Sequence, residues 1–306
     1  MNARLQLISA REFDLALTLD SGQVFHWNRH GAGFTGVIEE KGVYVEQRGA
    51  KLFVSGANRR VIADYFALDH PLKEICASFP RDDTMDRARE ICRGLRIIRQ
   101  PKWECLATFI CSSMKQVAHI RQISLALRKR FGKATGIFDL QLQSFPTAQR
   151  IAKSSEKELR ACALGYRAKN LLATAKLVAS GAINLKQWGT LSDDELRSSL
   201  CELPGVGAKV ANCVLLFAYE RLRAFPIDVW IERVLSEKYF VRKRKPTAGK
   251  LRDFAGNYFG EYGGYAQQYL FHHARTTSSR HRTARDSSTA LPSARNDNIG
   301  HAHGGL

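Results

Sequence analysis

Short apolar runs alternate with turn residues between about residues 21 and 56. Four runs of strand length stand out, with glycine-containing segments between them: QVFHW, FTGVIEE, VYVEQ and KLFVSG. Runs of this length, rich in β-branched and aromatic residues and bounded by glycine, are typical of strands. The pattern predicts a small antiparallel sheet near the start of the chain.

From about residue 60 onward, apolar residues recur every three or four positions. This spacing predicts helices over ANRRVIADYFAL, DRAREICRGL, WECLATFICSSMKQVAHIRQISLALRKRFG, AQRIAKSSEKELRACAL and YRAKNLLATAKLVASG. Gly181 is placed to end the last of these helices, and Ser192 is placed to cap the next one. Strands followed by helices predict an α+β fold: a small antiparallel β-rich N-terminal domain with trailing helices (residues 1–100), then an all-helical domain (residues 101–275).

After about residue 275 the composition becomes polar and rich in serine and arginine, and it loses its periodicity. Such a segment lacks the apolar surface needed for a packed core, so residues 276–306 are expected to form a disordered tail. His301 and His303 in this tail could bind a metal ion, but a solvated tail is the favoured interpretation. No metal site is predicted.

The charge balance points to a polyanionic partner. Lys and Arg number 47 and Asp and Glu number 29, so the net charge is 47 − 29 = +18. A basic excess of this size favours nucleic acid, although a merely soluble basic protein is the alternative. The runs RKRFGK (128–133) and RKRK (242–245) are either phosphate-facing patches or solvated helix ends.

The cysteines and the first residues concern the cellular compartment. The seven cysteines are odd in number and contain no CxxC pair, which indicates reduced thiols and neither a disulfide framework nor a zinc site. The first residues, MNARLQLISAREFDL, lack the apolar block of a signal peptide, and no apolar run approaches 18 residues. We expect a soluble intracellular protein without a membrane partner.

The stretch LPGVGAKVANCVLLFA (203–218) carries the clearest local signal. Pro204 cannot continue the preceding helix, and Gly205 and Gly207 allow a tight turn with close backbone approach. The next helix then begins with free backbone N–H groups, an arrangement that suits a DNA phosphate. A simple corner between two helices is the alternative.

Lys209 lies in the first turn of that helix, where the helix dipole disfavours a cation by about 0.3–1 kcal/mol. A nucleophilic lysine must be neutral, so this placement favours a nucleophile over an ordinary phosphate-touching lysine. Cys213 lies one turn further along on the same face. Asp228 precedes another helix and is either only its N-cap or also a carboxylate that stabilises a cationic transition state.

The hairpin LPGVGAK, with the aspartate of FPIDV nineteen residues after its lysine, resembles the helix-hairpin-helix (HhH-GPD) DNA glycosylase superfamily. Five further segments resemble the 8-oxoguanine DNA glycosylase family in the same order: SGQVFHW, YFALDHPL, ECLATFICSS, LGYRAKN and YAQQYLF. The resemblance covers roughly residues 10–275. It implies a TBP-like N-terminal domain, a helix-hairpin-helix catalytic domain, and a bifunctional glycosylase/AP lyase that removes 8-oxoguanine from duplex DNA during base-excision repair.

The resemblance also implies roles for individual residues. Lys209 would attack C1′ of the damaged nucleotide and form a Schiff base, and Asp228 would stabilise the positive charge at the sugar. The hairpin residues Gly205, Val206 and Gly207 would bind DNA phosphate.

The same family likeness implies a pocket for the flipped base. Gly22 would accept a hydrogen bond from the N7–H of 8-oxoguanine, which guanine lacks. Cys213 and Phe271 would sandwich the base, and Gln267 would bind its Watson–Crick edge. Extrusion of the base costs a few kcal/mol, which these contacts would offset.

One region departs from the family pattern. Where family members carry asparagines and an arginine that reads the opposite cytosine, this chain has Met114, Gln116 and His119. Tyr166 and Arg167, the expected wedge and second cytosine contact, are retained. Because each base contact supplies roughly 1–3 kcal/mol of discrimination, we expect a weaker preference for cytosine. Alternatively, Met114 simply fills a void.

Two further departures are Asn212 in place of a usual acid and Trp230 in place of a frequent phosphate-contacting histidine. Relatives that remove oxidised pyrimidines or mispaired adenine usually carry an iron–sulfur cluster, but no cysteine follows Cys213, so no cofactor is expected. A non-catalytic DNA-binding protein is a more distant alternative. The resemblance implies a monomer acting in the nucleoid or nucleus.

Overall fold

The computed structural model describes residues 5–240 and 246–288, with side chains up to residue 277. The strands are β1 Gln6–Ser9, β2 Asn28–His30, β3 Gly33–Ile38, β4 Lys41–Arg48, β5 Lys51–Ser55, β6 Ala134–Ile137 and β7 Leu140–Gln143. The helices are α1 Leu15–Asp20, α2 Arg59–Tyr65, α3 Leu72–Ala77, α4 Asp83–Ile91, α5 Lys102–Ser112, α6 Val117–Phe131, α7 Ala148–Ala152, α8 Glu156–Leu159, α9 Arg167–Ala179, α10 Asp193–Cys201, α11 Ala208–Tyr219, α12 Val229–Lys238, α13 Ala248–Tyr258 and α14 Gly263–Ser288. The predicted α+β fold, with a β-rich N-terminal region before a helical one, is confirmed.

The N-terminal sheet is antiparallel with the order β1-β5-β4-β3-β2. Its strands β3, β4 and β5 fall within three of the predicted runs. The first run, QVFHW, is not a strand, because its backbone lies outside the sheet and its side chains are buried. Gln23 shows why: its side chain bonds the carbonyl of Arg96 at 2.8 Å and the amide of Ile98 at 2.7 Å, which ties this segment to the core.

A second hairpin, formed by β6 and β7, lies within the region predicted to be helical. It follows α6 and rests against the N-terminal sheet, where the amide of Gly42 donates to Oγ1 of Thr135 at 3.2 Å. The strands are only four residues long, so their alternation is too brief to register against the helical spacing around them.

The longest predicted helix is broken in two. Met114, in the link between α5 and α6, has a φ of +53°, a conformation that interrupts a right-handed helix. The next predicted helix also breaks, because Ser155 forms a capping box with Glu158 and starts α8 anew. The predicted stop at Gly181 and the predicted cap at Ser192 are confirmed, with Ser192 accepting from the amide of Glu195.

The helix α14 continues to Ser288, so the segment 276–288, predicted to begin a disordered tail, is helical. Thr276 and Thr277 satisfy their hydroxyls by donating to carbonyls one turn earlier, which lets polar residues extend a helix without apolar periodicity. The predictions for RKRK (242–245) and for the tail histidines concern residues outside the described part of the chain.

Two apolar cores fill the molecule, one beneath the N-terminal sheet and one among the helices. Helix α11 runs through the helical core, and almost every residue from Val210 to Tyr219 is buried. Its first turn emerges at a cavity, so the buried part of the helix fixes the position of Lys209.

The basic run at 128–133 does not face solvent throughout. Arg128 is buried and forms an ion pair with Glu104, which also lies 3.5 Å from His26. Burial raises the pKa of Glu104, and the charge of Arg128 opposes that shift. Arg128 is thus a core residue that joins α6 to α5, and it is not a phosphate contact.

We expect Arg128→Met to lower the free energy of unfolding by about 3–5 kcal/mol, because it strands the buried Glu104 carboxylate. Arg130→Met on the same helix removes only an exposed ion pair with Glu158 and should cost less than about 1 kcal/mol. Urea denaturation of both variants measures the difference. Equal losses would contradict a structural role specific to Arg128.

Candidate active site

A cavity of about 480 Å³ opens between α5, α6, α11, α12 and α14. It brings together seven of the residues singled out from the sequence: Gly22, Gln116, Lys209, Cys213, Asp228, Gln267 and Phe271. These residues come from five separate parts of the chain. Their convergence on one cavity defines a candidate active site.

Lys209 is held at the wall of this cavity by α5. Its Nζ donates to Oγ of Ser112 at 3.2 Å and lies 5.3 Å from the centre of the Phe109 ring. Ser112 is itself oriented by donating to the carbonyl of Phe109 at 2.7 Å. The amine therefore has a defined position beside an apolar ring. The sequence did not single out Ser112 or Phe109 individually, although both lie in the segment ECLATFICSS.

Asp228 caps α12, as predicted. Its Oδ1 accepts from the amides of Trp230 and Ile231 at 3.1 and 2.9 Å. Burial raises the pKa of Asp228, while these amides and the charge of Lys209 act in the opposite direction. The other carboxylate oxygen remains available to the cavity, which Asp228 and Lys209 both line. A single residue thus combines a structural cap with a carboxylate in the site.

Cys213 lies one turn after Lys209 on the same face of α11 and is 3% exposed. Burial raises the pKa of its thiol to about 11, although the neighbouring Lys209 opposes this shift. The thiol is therefore neutral near pH 7. Because a thiolate is the nucleophilic form of cysteine, this residue serves as an apolar, polarisable wall and does not compete with Lys209.

The opposite wall comes from α14. Gln267 is 4% exposed, and its Oε1 has no hydrogen-bond partner among the residues that the structure describes. A buried amide oxygen without a partner costs about 1–3 kcal/mol, which marks it as a group awaiting a ligand. Phe271, one turn later, presents its ring to the same space.

The neighbouring Gln268 was not predicted from the sequence, yet it fixes part of the site. Its side chain is buried and donates to the carbonyl of Ser21 at 2.9 Å. This bond ties α14 to the turn that carries Gly22. Gly22 has a φ of +86°, a conformation that favours glycine.

The hairpin before α11 is formed as predicted, but its residues differ. Gly205 has a φ of +82° and packs against Asn170, so it supplies the tight turn. Gly207 is the N-cap of α11, without a side-chain cap and with open space around it. The amide of Val206 already donates to the carbonyl of Leu203 at 3.0 Å, so it is not free for a phosphate. The open face of the hairpin is Gly207 and the first turn of α11.

The region expected to read the opposite base lies beside the cavity. Met114 is 94% exposed in the link between α5 and α6, which excludes the alternative that it fills a void. Gln116 and His119 are exposed as well. Tyr166, at the start of α9, is 56% exposed and suited to insertion as a wedge.

Arg167 does not share this exposure. It is 6% exposed, and its Nε donates to the carbonyl of Ser113 at 2.8 Å while its guanidinium stacks on Tyr166. The expected contact with a base would require this arrangement to break. In the present structure Arg167 supports the link that carries Met114.

The two remaining departures have different surroundings. Asn212 is buried and bonds the carbonyl of Ala208 at 3.0 Å, within its own helix. Trp230 lines the cavity beside Asp228. In the described part of the chain, no group of three or more His, Cys, Asp or Glu side chains is placed to hold a metal ion.

All seven cysteines are free thiols. Among the described residues, no helix combines the length and apolar character required to cross a bilayer.

Comparison with known proteins defines the class of this fold and site. Residues 107–257 match the family described as HhH-GPD superfamily base excision DNA repair protein, and residues 6–106 match the 8-oxoguanine DNA glycosylase N-terminal domain. The N-glycosylase/DNA lyase OGG1 of Arabidopsis thaliana is 30% identical over 282 residues, which cover 85% of this chain and 77% of the relative.

Solved structures agree with this assignment. MBOgg1 in complex with a low affinity DNA ligand gives a TM-score of 0.85 at 31% identity, covering 91% of this chain and 100% of that one. The Clostridium acetobutylicum 8-oxoguanine glycosylase/lyase in its apo form gives 0.81 at 30% identity, covering 89% and 99%. The chain belongs to the 8-oxoguanine DNA glycosylase family and is a DNA glycosylase/lyase enzyme.

The geometry at Gly22 makes a specific prediction. A Cβ placed there would lie 3.1 Å from Cε1 of Phe271 and 3.1 Å from Nη1 of Arg275, and the positive φ adds strain. We expect Gly22→Ala to slow base excision at least about tenfold, given about 1–3 kcal/mol of strain and displacement at the cavity wall.

Gly31→Ala is the matched control, because Gly31 also has positive φ but has open space around it. It should lose stability without losing excision. Single-turnover excision rates for both variants, measured alongside their melting temperatures, test this expectation. A Gly22→Ala protein that excises at the wild-type rate would show that the tight contacts at Gly22 do not matter for the site.

Proposed function

We propose that this enzyme excises 8-oxoguanine from duplex DNA and then cleaves the strand at the resulting site. The observation that carries the proposal is that Lys209 and Asp228 line one side of a cavity whose other side holds the unpaired amide of Gln267. An amine and a carboxylate supply the chemistry, and a buried polar group beside an aromatic ring supplies the recognition. The names of the related enzymes support the same substrate.

The reaction begins at the glycosidic bond. The lone pair of Lys209 Nζ forms a bond to C1′ as the C1′–N9 bond breaks, and the base leaves with that electron pair and takes up a proton. Asp228 stabilises the positive charge that develops on the sugar. Ring opening then yields a Schiff base between Lys209 and C1′.

The Schiff base leads to strand cleavage. It acidifies a proton at C2′, whose removal expels the 3′ phosphate by β-elimination, and water finally releases the amine. Each step uses the lysine, the carboxylate and water. We therefore propose that the enzyme needs no metal ion or other cofactor.

Recognition of the base follows from the walls of the cavity. The amide of Gln267 would bond the Watson–Crick edge, while Cys213 and Phe271 would enclose the two faces of the ring. The backbone carbonyl of Gly22 would accept the N7–H that distinguishes 8-oxoguanine from guanine. With guanine this acceptor would stay unpaired, which costs about 1–3 kcal/mol.

The DNA partner is a duplex from which the lesion is flipped. The net charge of +18 favours association with a polyanion, and the exposed first turn of α11 at Gly207 offers amides to a phosphate. Tyr166 would occupy the gap left by the extruded base.

The nucleophile is tested by trapping with borohydride on a duplex that carries one 8-oxoguanine. The wild-type protein should give a covalent protein–DNA adduct, because borohydride reduces a Schiff base to a stable amine. Lys209→Gln should abolish both the adduct and base excision. Lys129→Gln, which removes an exposed lysine on α6, should leave both unchanged.

Efficient trapping by Lys209→Gln would exclude Lys209 as the nucleophile. DNA binding by the wild-type protein without any product from the lesion would instead indicate a non-catalytic DNA-binding protein.

We further propose a relaxed preference for the base opposite the lesion. Met114 offers no hydrogen bond, His119 replaces an arginine, and Arg167 is occupied by the carbonyl of Ser113. Two missing contacts at roughly 1–3 kcal/mol each should reduce the preference for cytosine to within about tenfold of the other bases.

Excision rates opposite C, A, G and T measure this preference. The double variant Met114→Asn/His119→Arg should restore discrimination in favour of cytosine. A preference for cytosine over adenine of about a thousandfold in the wild-type protein would contradict the proposal.

A further inference from the structure

Arg275 lies on α14 at the edge of the cavity, and neither the sequence pattern nor the mechanism accounts for it. It follows Gln267 and Phe271 at intervals of four residues, so all three share one face of the helix. All three line the cavity. An arginine at this place adds a charged, planar group to a wall otherwise made of an amide and a ring.

The guanidinium is held on two sides. One nitrogen, Nη2, donates to the carbonyl of Asp20, the last residue of α1, where the helix dipole favours a cation. The same nitrogen lies 3.5 Å from Nδ1 of His272. Burial and the charge of Arg275 lower the pKa of His272 to about 4, so His272 is neutral near pH 7 and can accept.

The guanidinium also contacts the two parts of the site that would meet the base. It lies 5.6 Å from the centre of the Phe271 ring, within range of a cation–π interaction. A Cβ on Gly22 would lie 3.1 Å from its Nη1. Arg275 therefore joins the turn that carries Gly22 to the aromatic wall.

These contacts complement the bond from Gln268 to Ser21. Gln268 secures the turn from inside the protein, and Arg275 secures it from the rim of the cavity. Together they set the distance between the backbone of Gly22 and the ring of Phe271. In the proposed function, that distance decides whether the flipped base can stack and donate N7–H at the same time.

We propose that Arg275 is a positioning residue for lesion recognition, which holds the turn at Gly22 and the ring of Phe271 at the separation that the damaged base requires. This proposal rests on the proposed excision of 8-oxoguanine. It assigns Arg275 to recognition of the base and not to the chemistry at the sugar, because its contacts are with the base-facing walls and not with Lys209 or Asp228.

The two activities of the enzyme separate these roles. Excision of 8-oxoguanine requires the base to be recognised, whereas strand cleavage at a preformed abasic site requires only the lysine and the sugar. Arg275→Met should therefore slow single-turnover excision by about tenfold, equivalent to about 1.4 kcal/mol, and leave cleavage at an abasic site unchanged.

Arg275→Lys keeps the charge but cannot contact Asp20 and Gly22 together, so it should give an intermediate loss of excision. It also carries the test if Arg275→Met does not fold. The matched control is Arg48→Met, which removes an arginine that stacks on Phe53 and pairs with Glu46 in the N-terminal sheet. It should change neither activity.

The comparison uses the full-length protein, with melting temperatures recorded for each variant. Wild-type excision rates in folded Arg275→Met, or in Arg275→Lys if the first variant is unfolded, would overturn the proposal. So would equal losses of excision and abasic-site cleavage, because these indicate a structural role only. A wild-type protein that cleaves abasic sites but leaves 8-oxoguanine intact would refute the proposed function itself.

Discussion

The site depends on one constraint: an amine must be held against an apolar ring at the point where a buried helix reaches a cavity. Helix α11 is buried along most of its length, so it cannot shift without disturbing the helical core. Its exposed first turn therefore presents Lys209 from a rigid support. The bond from Lys209 to Ser112 and the nearby ring of Phe109 then fix the direction of the amine.

The same economy appears at Asp228 and on α14. Asp228 spends one oxygen on the helix that it caps and keeps the other in the cavity. Helix α14 places Gln267, Phe271 and Arg275 on the cavity while its neighbour Gln268 anchors the turn at Gly22. Groups that act on the sugar and groups that face the base thus come from different helices, which allows recognition and chemistry to be altered separately.

Much of this arrangement could be predicted from the sequence, because helical periodicity alone places Cys213 beside Lys209 and Phe271 beside Gln267. The cap at Asp228 follows from the same local rules. The contact from Ser112 to Lys209 joins residues 97 positions apart, and no local pattern contains it. Arg167 also escaped prediction, since its burial depends on where the distant carbonyl of Ser113 lies.

The errors in the fold have a related cause. QVFHW has the composition of a strand, but its side chains are buried by contacts with distant segments and not by pairing in a sheet. The break at Met114 arises from a backbone conformation that the apolar spacing around it conceals. Local pattern specifies the helices and most strands, whereas the links between them depend on tertiary contacts.

The most direct test of the central claim is to locate the modified residue in the borohydride-reduced enzyme–DNA adduct by peptide mass spectrometry. The account predicts that the deoxyribose remnant is attached to Lys209. Lys115 also lines the cavity and is the sharpest competitor. Attachment to Lys115, or to any amine other than Lys209, would contradict the account.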